Sequence, residues 1–108
     1  MDYLDTLSHF ASNLDYSKLE PQVQDQVGWI LADTVAAMAA GSAEPELRAI
    51  AKRQPACTPH HSALLIGLGQ KSTPEAAAFI NGTSGTFLEM DEGNRFSRGH
   101  PAVHVVPA

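Results

Sequence analysis

The sequence predicts a mainly α-helical fold with one short extended segment. Apolar residues recur at helical spacing in the first forty residues, and a second stretch begins with the residue types that start helices. The 108 residues are 44% hydrophobic and 18% charged, which is the composition of an ordinary globular protein. We therefore expect one modest domain whose core lies between helices.

Two helices are predicted before residue 42. The first begins near Leu4, and Asp2 and Asp5 lie where the N-terminus of a helix favours negative charge. The second follows Pro21 and ends at Gly41, because proline suits a first helical turn and glycine a helix end. One apolar face is expected along this second helix, formed by Val23, Val27, Ile30, Leu31, Val35 and Met38. Its alanines should let another helix approach closely.

Shorter elements are predicted in the second half. Residues 42–45 should cap a third helix, and residues 53–59, with two prolines, should form a loop. Residues 62–67 suit a short strand. Residues 72–75, Ser-Thr-Pro-Glu, begin a helix that should continue to about Thr86, where two glycines indicate close packing or a bend.

The charge balance limits the partners. Seven Lys and Arg residues against twelve Asp and Glu give a net charge of −5, which disfavours nucleic acid because a phosphate backbone requires a basic face. The N-terminus lacks the basic and apolar regions of a signal peptide, and no apolar stretch is long enough to span a bilayer. We expect a cytoplasmic protein without a membrane partner. The single Cys57 fits a reducing compartment and is interpreted as a loop cysteine.

Three short motifs suggest ligands only weakly. Residues 67–72, Gly-Leu-Gly-Gln-Lys-Ser, depart from the spacing of a phosphate loop, so a turn into the next helix is the better interpretation. His60 and His61 are adjacent and cannot readily share one metal ion, which favours a solvated loop. His100 and His104 have the spacing of one helical face, but they lack a His-Glu-x-x-His signature. No metal and no other cofactor is predicted.

The densest chemistry lies in residues 89–100. Three carboxylates, two guanidinium groups and an imidazole occur there beside two glycines. Such a cluster can be a solvated loop. It can also be a site for a small carboxylic acid, in which Arg95 and Arg98 hold substrate carboxylates while Glu89, Asp91 or His100 handles a proton.

Several segments, in this order and spacing, resemble the MmgE/PrpD family, which includes 2-methylcitrate dehydratase, cis-aconitate decarboxylase and iminodisuccinate epimerase. They are residues 31–37, residues 76–83, Glu89-Met90-Asp91-Glu92, His100-Pro101-Ala102 and Val106-Pro107-Ala108. The resemblance implies a fold with a large helical domain and a smaller α+β lid. Residues 1–108 would be the N-terminal portion of the helical domain, without the lid or the C-terminal helices, which agrees with an apolar run at Ala108. Family members are commonly dimers, so a homodimer is expected at full length.

The resemblance also implies a function. The family acts on small di- or tricarboxylic acids, as lyases or isomerases that remove a proton next to a carboxylate without a cofactor. By position in the family's acidic and His-Pro motifs, together with the arginines between them, the expected catalytic residues are His100, Asp91 and Glu89, and the expected substrate-binding residues are Arg95, Arg98 and Glu92. Gly93 replaces a family threonine, and the acids at 89 and 92 are longer than usual, so the substrate is expected to differ. Other groups come from later in family sequences, so this chain alone should be inactive. The alternative is a non-catalytic helical interaction module or a degenerate relative.

Overall fold

The computed structural model describes residues 2–54, 57–96 and 98–108. Within these ranges the chain is mainly helical, as predicted, with one short antiparallel sheet. The elements are α1 (Tyr3–Ser12), a 3₁₀ turn (Tyr16–Lys18), α2 (Pro21–Gly41), α3 (Pro45–Lys52), β1 (Ala63–Leu65), β2 (Gln70–Ser72), α4 (Pro74–Phe87) and α5 (Pro101–Val105). Two residues of the predicted loop at 53–59, Pro55 and Ala56, and Ser97 of the acidic and basic cluster lie outside the described ranges.

The helices begin where the sequence predicts. Asp2 and Asp5 form a reciprocal capping box at the start of α1. At the start of α4 the Thr73 hydroxyl accepts a hydrogen bond from the backbone N–H of Ala76 at 3.4 Å. Proline occupies the first turn of α2, α3, α4 and α5, where its missing N–H costs no hydrogen bond.

Helices α2 and α4 form the most extensive helix–helix contact, and glycines permit it. A Cβ at Gly41 would overlap the backbone carbonyl of Ser84. A Cβ at Gly85 would lie 2.8 Å from Cγ2 of Val103 and 3.4 Å from Cγ of Met38. Close packing is therefore the reason for a glycine at position 85 of α4. Val103 of α5 packs beside Gly85 of α4, and α5 contacts both α2 and α4. These contacts fix α5, the helix that follows the acidic and basic cluster.

The short sheet corrects one prediction. Strand β1 lies within the predicted extended segment, but residues 70–72, which were expected to belong to a turn, pair with it as β2. Ser72 pairs with Ala63 and is buried, and the turn between the strands uses positive φ angles at Gly67 and Gly69. A core cluster joins the sheet to α3 and α4 and consists of Ala51, Leu65, Ala77 and Ile80.

Asn81 fastens the hairpin to α4. Its side-chain amide donates to the carbonyl of Leu64 at 3.0 Å, and its Oδ1 accepts from the backbone N–H of Ile66 at 2.9 Å. Only 6% of Asn81 is exposed. The side chain therefore satisfies the hydrogen bonds of two backbone groups at the end of β1.

We expect Asn81→Ala to lower the free energy of unfolding by about 2 kcal/mol, because both backbone groups would lose their partner in a partly buried environment. Thr83→Ala on the same helix is the matched control, since the Thr83 hydroxyl only donates to the Phe79 carbonyl one turn back. Chemical denaturation of both variants measures the difference. Equal unfolding midpoints for the two would show that Asn81 does not anchor the hairpin.

The predicted apolar face of α2 is only partly buried within this chain. The residues of α2 that are buried are Thr34, Met38 and Gly41, while Val23, Val27, Leu31 and Val35 are between 37% and 49% exposed. Helix α1 has no buried residue. Both helices thus present apolar side chains that the rest of the described chain does not cover. No helix in residues 2–54, 57–96 and 98–108 combines the length and the hydropathy that crossing a membrane requires.

Candidate active site

Between α4 and α5, the backbones of Asn94 and Gly99 pair and close a turn. The backbone N–H of Asn94 donates to the carbonyl of Gly99 at 2.8 Å, and the Asn94 side chain accepts from the N–H of Phe96 at 2.9 Å. Glu89 and Arg98 adopt positive φ angles of 50° and 53°, which non-glycine residues seldom do. Backbone strain of this kind concentrates at functional sites. The acidic and basic cluster thus contains a turn with defined internal hydrogen bonds.

Glu92 connects this turn to α5. Its Oε2 accepts a hydrogen bond from the backbone N–H of Ala102 at 3.3 Å, in the first turn of the helix. Pro101 begins α5, and His100 is the residue immediately before this helix. Glu92 therefore helps to set the orientation of His100 relative to the carboxylates of the turn.

Asp91 and His100 form the central pair of the site. Oδ2 of Asp91 lies 3.2 Å from Nδ1 of His100; the Asp91 side chain is 5% exposed and the imidazole 53%. The distance is that of an ion pair, but the alignment falls short of a hydrogen bond, and Oδ2 has no hydrogen-bond partner within the described ranges. A buried carboxylate oxygen without a partner requires an explanation, and a ligand bound beside it would supply one.

A cavity of about 500 Å³ opens beside this pair. Two carboxylates and two imidazoles line it together with one hydroxyl side chain, one glycine and one valine: Glu89, Asp91, His100, His104, Thr86, Gly99 and Val103. The volume falls within the range of small-molecule sites. The structure thus places the three predicted catalytic residues, Glu89, Asp91 and His100, around one cavity.

The two arginines lie elsewhere. Arg95 and Arg98 are exposed and line a shallower depression that shares Gly99 and His100 with the cavity. Gly93 borders the same depression, and a Cβ there would lie 3.9 Å from the His100 ring. The predicted substrate-binding residues Arg95, Arg98 and Glu92 are therefore not among the residues that line the cavity of Asp91.

Comparison with protein families identifies the chain. A sequence model of the MmgE/PrpD N-terminal domain matches residues 5–108. The chain belongs to the MmgE/PrpD family. This is a family of the dehydratase and lyase type, and it includes enzymes. Searches of curated proteins and of solved structures gave no significant match.

In this MmgE/PrpD chain the remaining histidines have different surroundings. Nε2 of His61 lies 3.8 Å from Oε1 of Glu75, and both side chains are exposed. His104 lines the cavity of Asp91, where the sequence suggested it only as a metal ligand. Within the part of the chain that the structure describes, no three His, Cys, Asp or Glu residues are arranged to hold a metal ion. The four-residue spacing from His100 was the signal that could have placed His104 in the site.

Proposed function

We propose that this chain contributes the acid–base pair of a lyase or isomerase that acts on a small di- or tricarboxylic acid. The observation that supports the proposal is the buried Asp91 carboxylate beside the half-exposed His100 imidazole, in a cavity of about 500 Å³. Membership of the MmgE/PrpD family, which includes enzymes, agrees with it.

The proposed chemistry follows from the position of the Asp91 carboxylate beside Nδ1 of His100. A carboxylate beside Nδ1 favours the tautomer with the proton on Nδ1, which leaves Nε2 with a free lone pair. Nε2 then removes a proton from the carbon next to a substrate carboxylate, and Asp91 stabilises the imidazolium ion that forms. Dehydration and epimerisation both begin with this step, and decarboxylation ends with its reverse. None of these steps requires a cofactor.

Other residues have supporting roles in the proposal. Glu89 lines the same cavity and is the third catalytic residue that we propose. Glu92 holds the turn on α5. Arg95 and Arg98, beside the cavity, attract the anionic substrate towards it and bind a carboxylate at its edge.

We also propose that the chain is the N-terminal part of a larger helical domain in a cytoplasmic homodimer. The apolar faces of α1 and α2 support this proposal, because apolar surfaces of this kind are usually covered in the assembled protein. The chain by itself is then inactive, and activity is measured on the full-length protein.

The test measures turnover of a panel of small di- and tricarboxylic acids by the full-length protein, with assays for dehydration, decarboxylation and epimerisation. We expect His100→Ala to lower kcat/KM by about 10³-fold or more, because the imidazole that is the proposed base is then absent. His60→Ala, at an exposed histidine outside the site, is the control and should not change the rate. Turnover by His100→Ala at the wild-type rate would exclude His100 from the mechanism.

A second candidate function is a non-catalytic helical interaction module. The exposed apolar residues of α1, among them Leu4 and Phe10 at 63% each, favour it. This function predicts self-association or partner binding without any affinity for polycarboxylates. Titration calorimetry with the same panel of acids distinguishes the two, since the enzyme must bind at least one of them.

A further inference from the structure

We propose that His104 is a substrate-positioning residue that binds a second carboxylate of the substrate. This inference rests on the proposed function and assigns a binding residue to the second carboxylate that its substrate carries. The sequence motifs that imply catalytic residues do not include His104.

The cavity is lined by negative charges that a substrate with two carboxylates must overcome. Glu89 and Asp91 both line it, so a substrate with two negative charges enters a space that already holds two carboxylates. Like charges that share one cavity repel each other. The basic side chains that line the same cavity, within the described ranges, are His100 and His104.

His100 is already committed to Asp91. Its Nδ1 lies 3.2 Å from that carboxylate, so its remaining ring nitrogen serves the reacting carbon in the proposed mechanism. A second substrate carboxylate therefore needs another N–H donor. His104 supplies one on the same cavity wall, whereas Arg95 and Arg98 line the neighbouring depression.

Packing of α5 fixes the backbone at His104, whose side chain is exposed. His104 follows Ala102 and Val103, which are 8% and 6% exposed and hold α5 against the helical core. His100 immediately precedes this helix, so the two residues are about one helical turn apart along the chain. His104 also borders an apolar groove with Phe79 and Gly82, so it lies where this groove and the cavity of Asp91 meet.

The experiment compares two ligands with two variants of the full-length protein. Succinate and butyrate have the same number of carbon atoms, but succinate carries a second carboxylate, and both are measured as competitive inhibitors of the acid that the wild type turns over. We expect His104→Ala to weaken succinate inhibition about tenfold, while butyrate inhibition changes less than about twofold. The same variant should raise KM with little change in kcat, because positioning is lost and the proton-transfer pair remains.

His104→Gln is the conservative variant, since its amide retains an N–H donor. It should restore succinate inhibition to within about threefold of the wild type, as expected for a neutral hydrogen bond. His60→Ala should change inhibition by neither succinate nor butyrate.

Each other result overturns the inference. Equal weakening of succinate and butyrate would indicate a structural role for His104, and no weakening of either would remove it from the site. Selective loss of succinate inhibition in Arg95→Ala or Arg98→Ala, with inhibition unchanged in His104→Ala, would assign the second carboxylate to the arginines. If the wild type neither binds nor turns over any acid of the panel, the proposed function fails and His104 has no substrate to position. If the wild type turns over an acid and His104→Ala leaves both KM and succinate inhibition unchanged, only this inference is refuted.

Discussion

Gly41→Ala is expected to destabilise the protein by about 3 kcal/mol or more, the largest stability effect that we predict for a single added methyl group. The new Cβ would overlap the carbonyl oxygen of Ser84 and lie 2.9 Å from its carbonyl carbon. Both atoms belong to the backbone of α4, so no side-chain rotation relieves the contact. Helices α2 and α4 would have to separate along their most extensive interface.

Gly28→Ala is the matched control on the same helix. A Cβ at Gly28 meets no atom within 4 Å, so alanine should stabilise α2 by up to about 1 kcal/mol through its higher helix propensity. Thermal and chemical denaturation of the two variants should therefore shift in opposite directions. A Gly41→Ala protein as stable as the wild type would mean that α2 and α4 do not approach as closely as described.

The helix positions could be predicted because their signals are local. The capping residues Asp2 and Thr73 and the prolines in the first turns are readable along the chain, and each lies where it was expected. Strand β2 could not be predicted, because Gln70 and Lys71 are exposed and show no alternating apolar pattern. Its existence depends on pairing with β1, which is a contact between segments.

Packing between elements explains the other differences. Met38 lies on the predicted apolar face of α2 and is buried, but Thr34 is buried too, and several valines of that face are exposed. A helical pattern indicates which face is apolar, but not which partner covers it. The hydrogen bonds of Asn81 likewise join residues 15 and 17 positions apart, beyond any local signal.

In the candidate site, too, the sequence indicated the residue types but not all of their contacts. The residue types and order within residues 89–100 indicated a proton-transfer site, and the three residues predicted to be catalytic do share a cavity. The sequence did not show that Glu92 binds the backbone of α5 or that Arg95 and Arg98 face a neighbouring depression. Those outcomes depend on how the turn closes between Asn94 and Gly99.

Asp91→Asn is expected to lower kcat/KM of the full-length protein for the proposed reaction by about 10³-fold while leaving its stability unchanged or slightly higher. The loss of activity follows from the tautomer, because an amide NH₂ facing Nδ1 of His100 would favour a proton on Nε2, and Nε2 would no longer be a base. Stability should not fall, because asparagine keeps the shape of a side chain whose Oδ2 is buried without a hydrogen-bond partner in the described part of the chain. Steady-state kinetics and denaturation curves of the same preparation measure both effects.

Asp25→Asn is the control, since Asp25 is an exposed carboxylate on α2 and its replacement should change neither quantity. Activity and stability respond differently to the two roles that Asp91 can have. A catalytic Asp91 gives a slow but stable variant, because the carboxylate is held in place at a cost to folding for the sake of the reaction. A structural Asp91 gives an unstable variant whose remaining folded fraction turns over at the normal rate, and that result would refute the proposed acid–base pair.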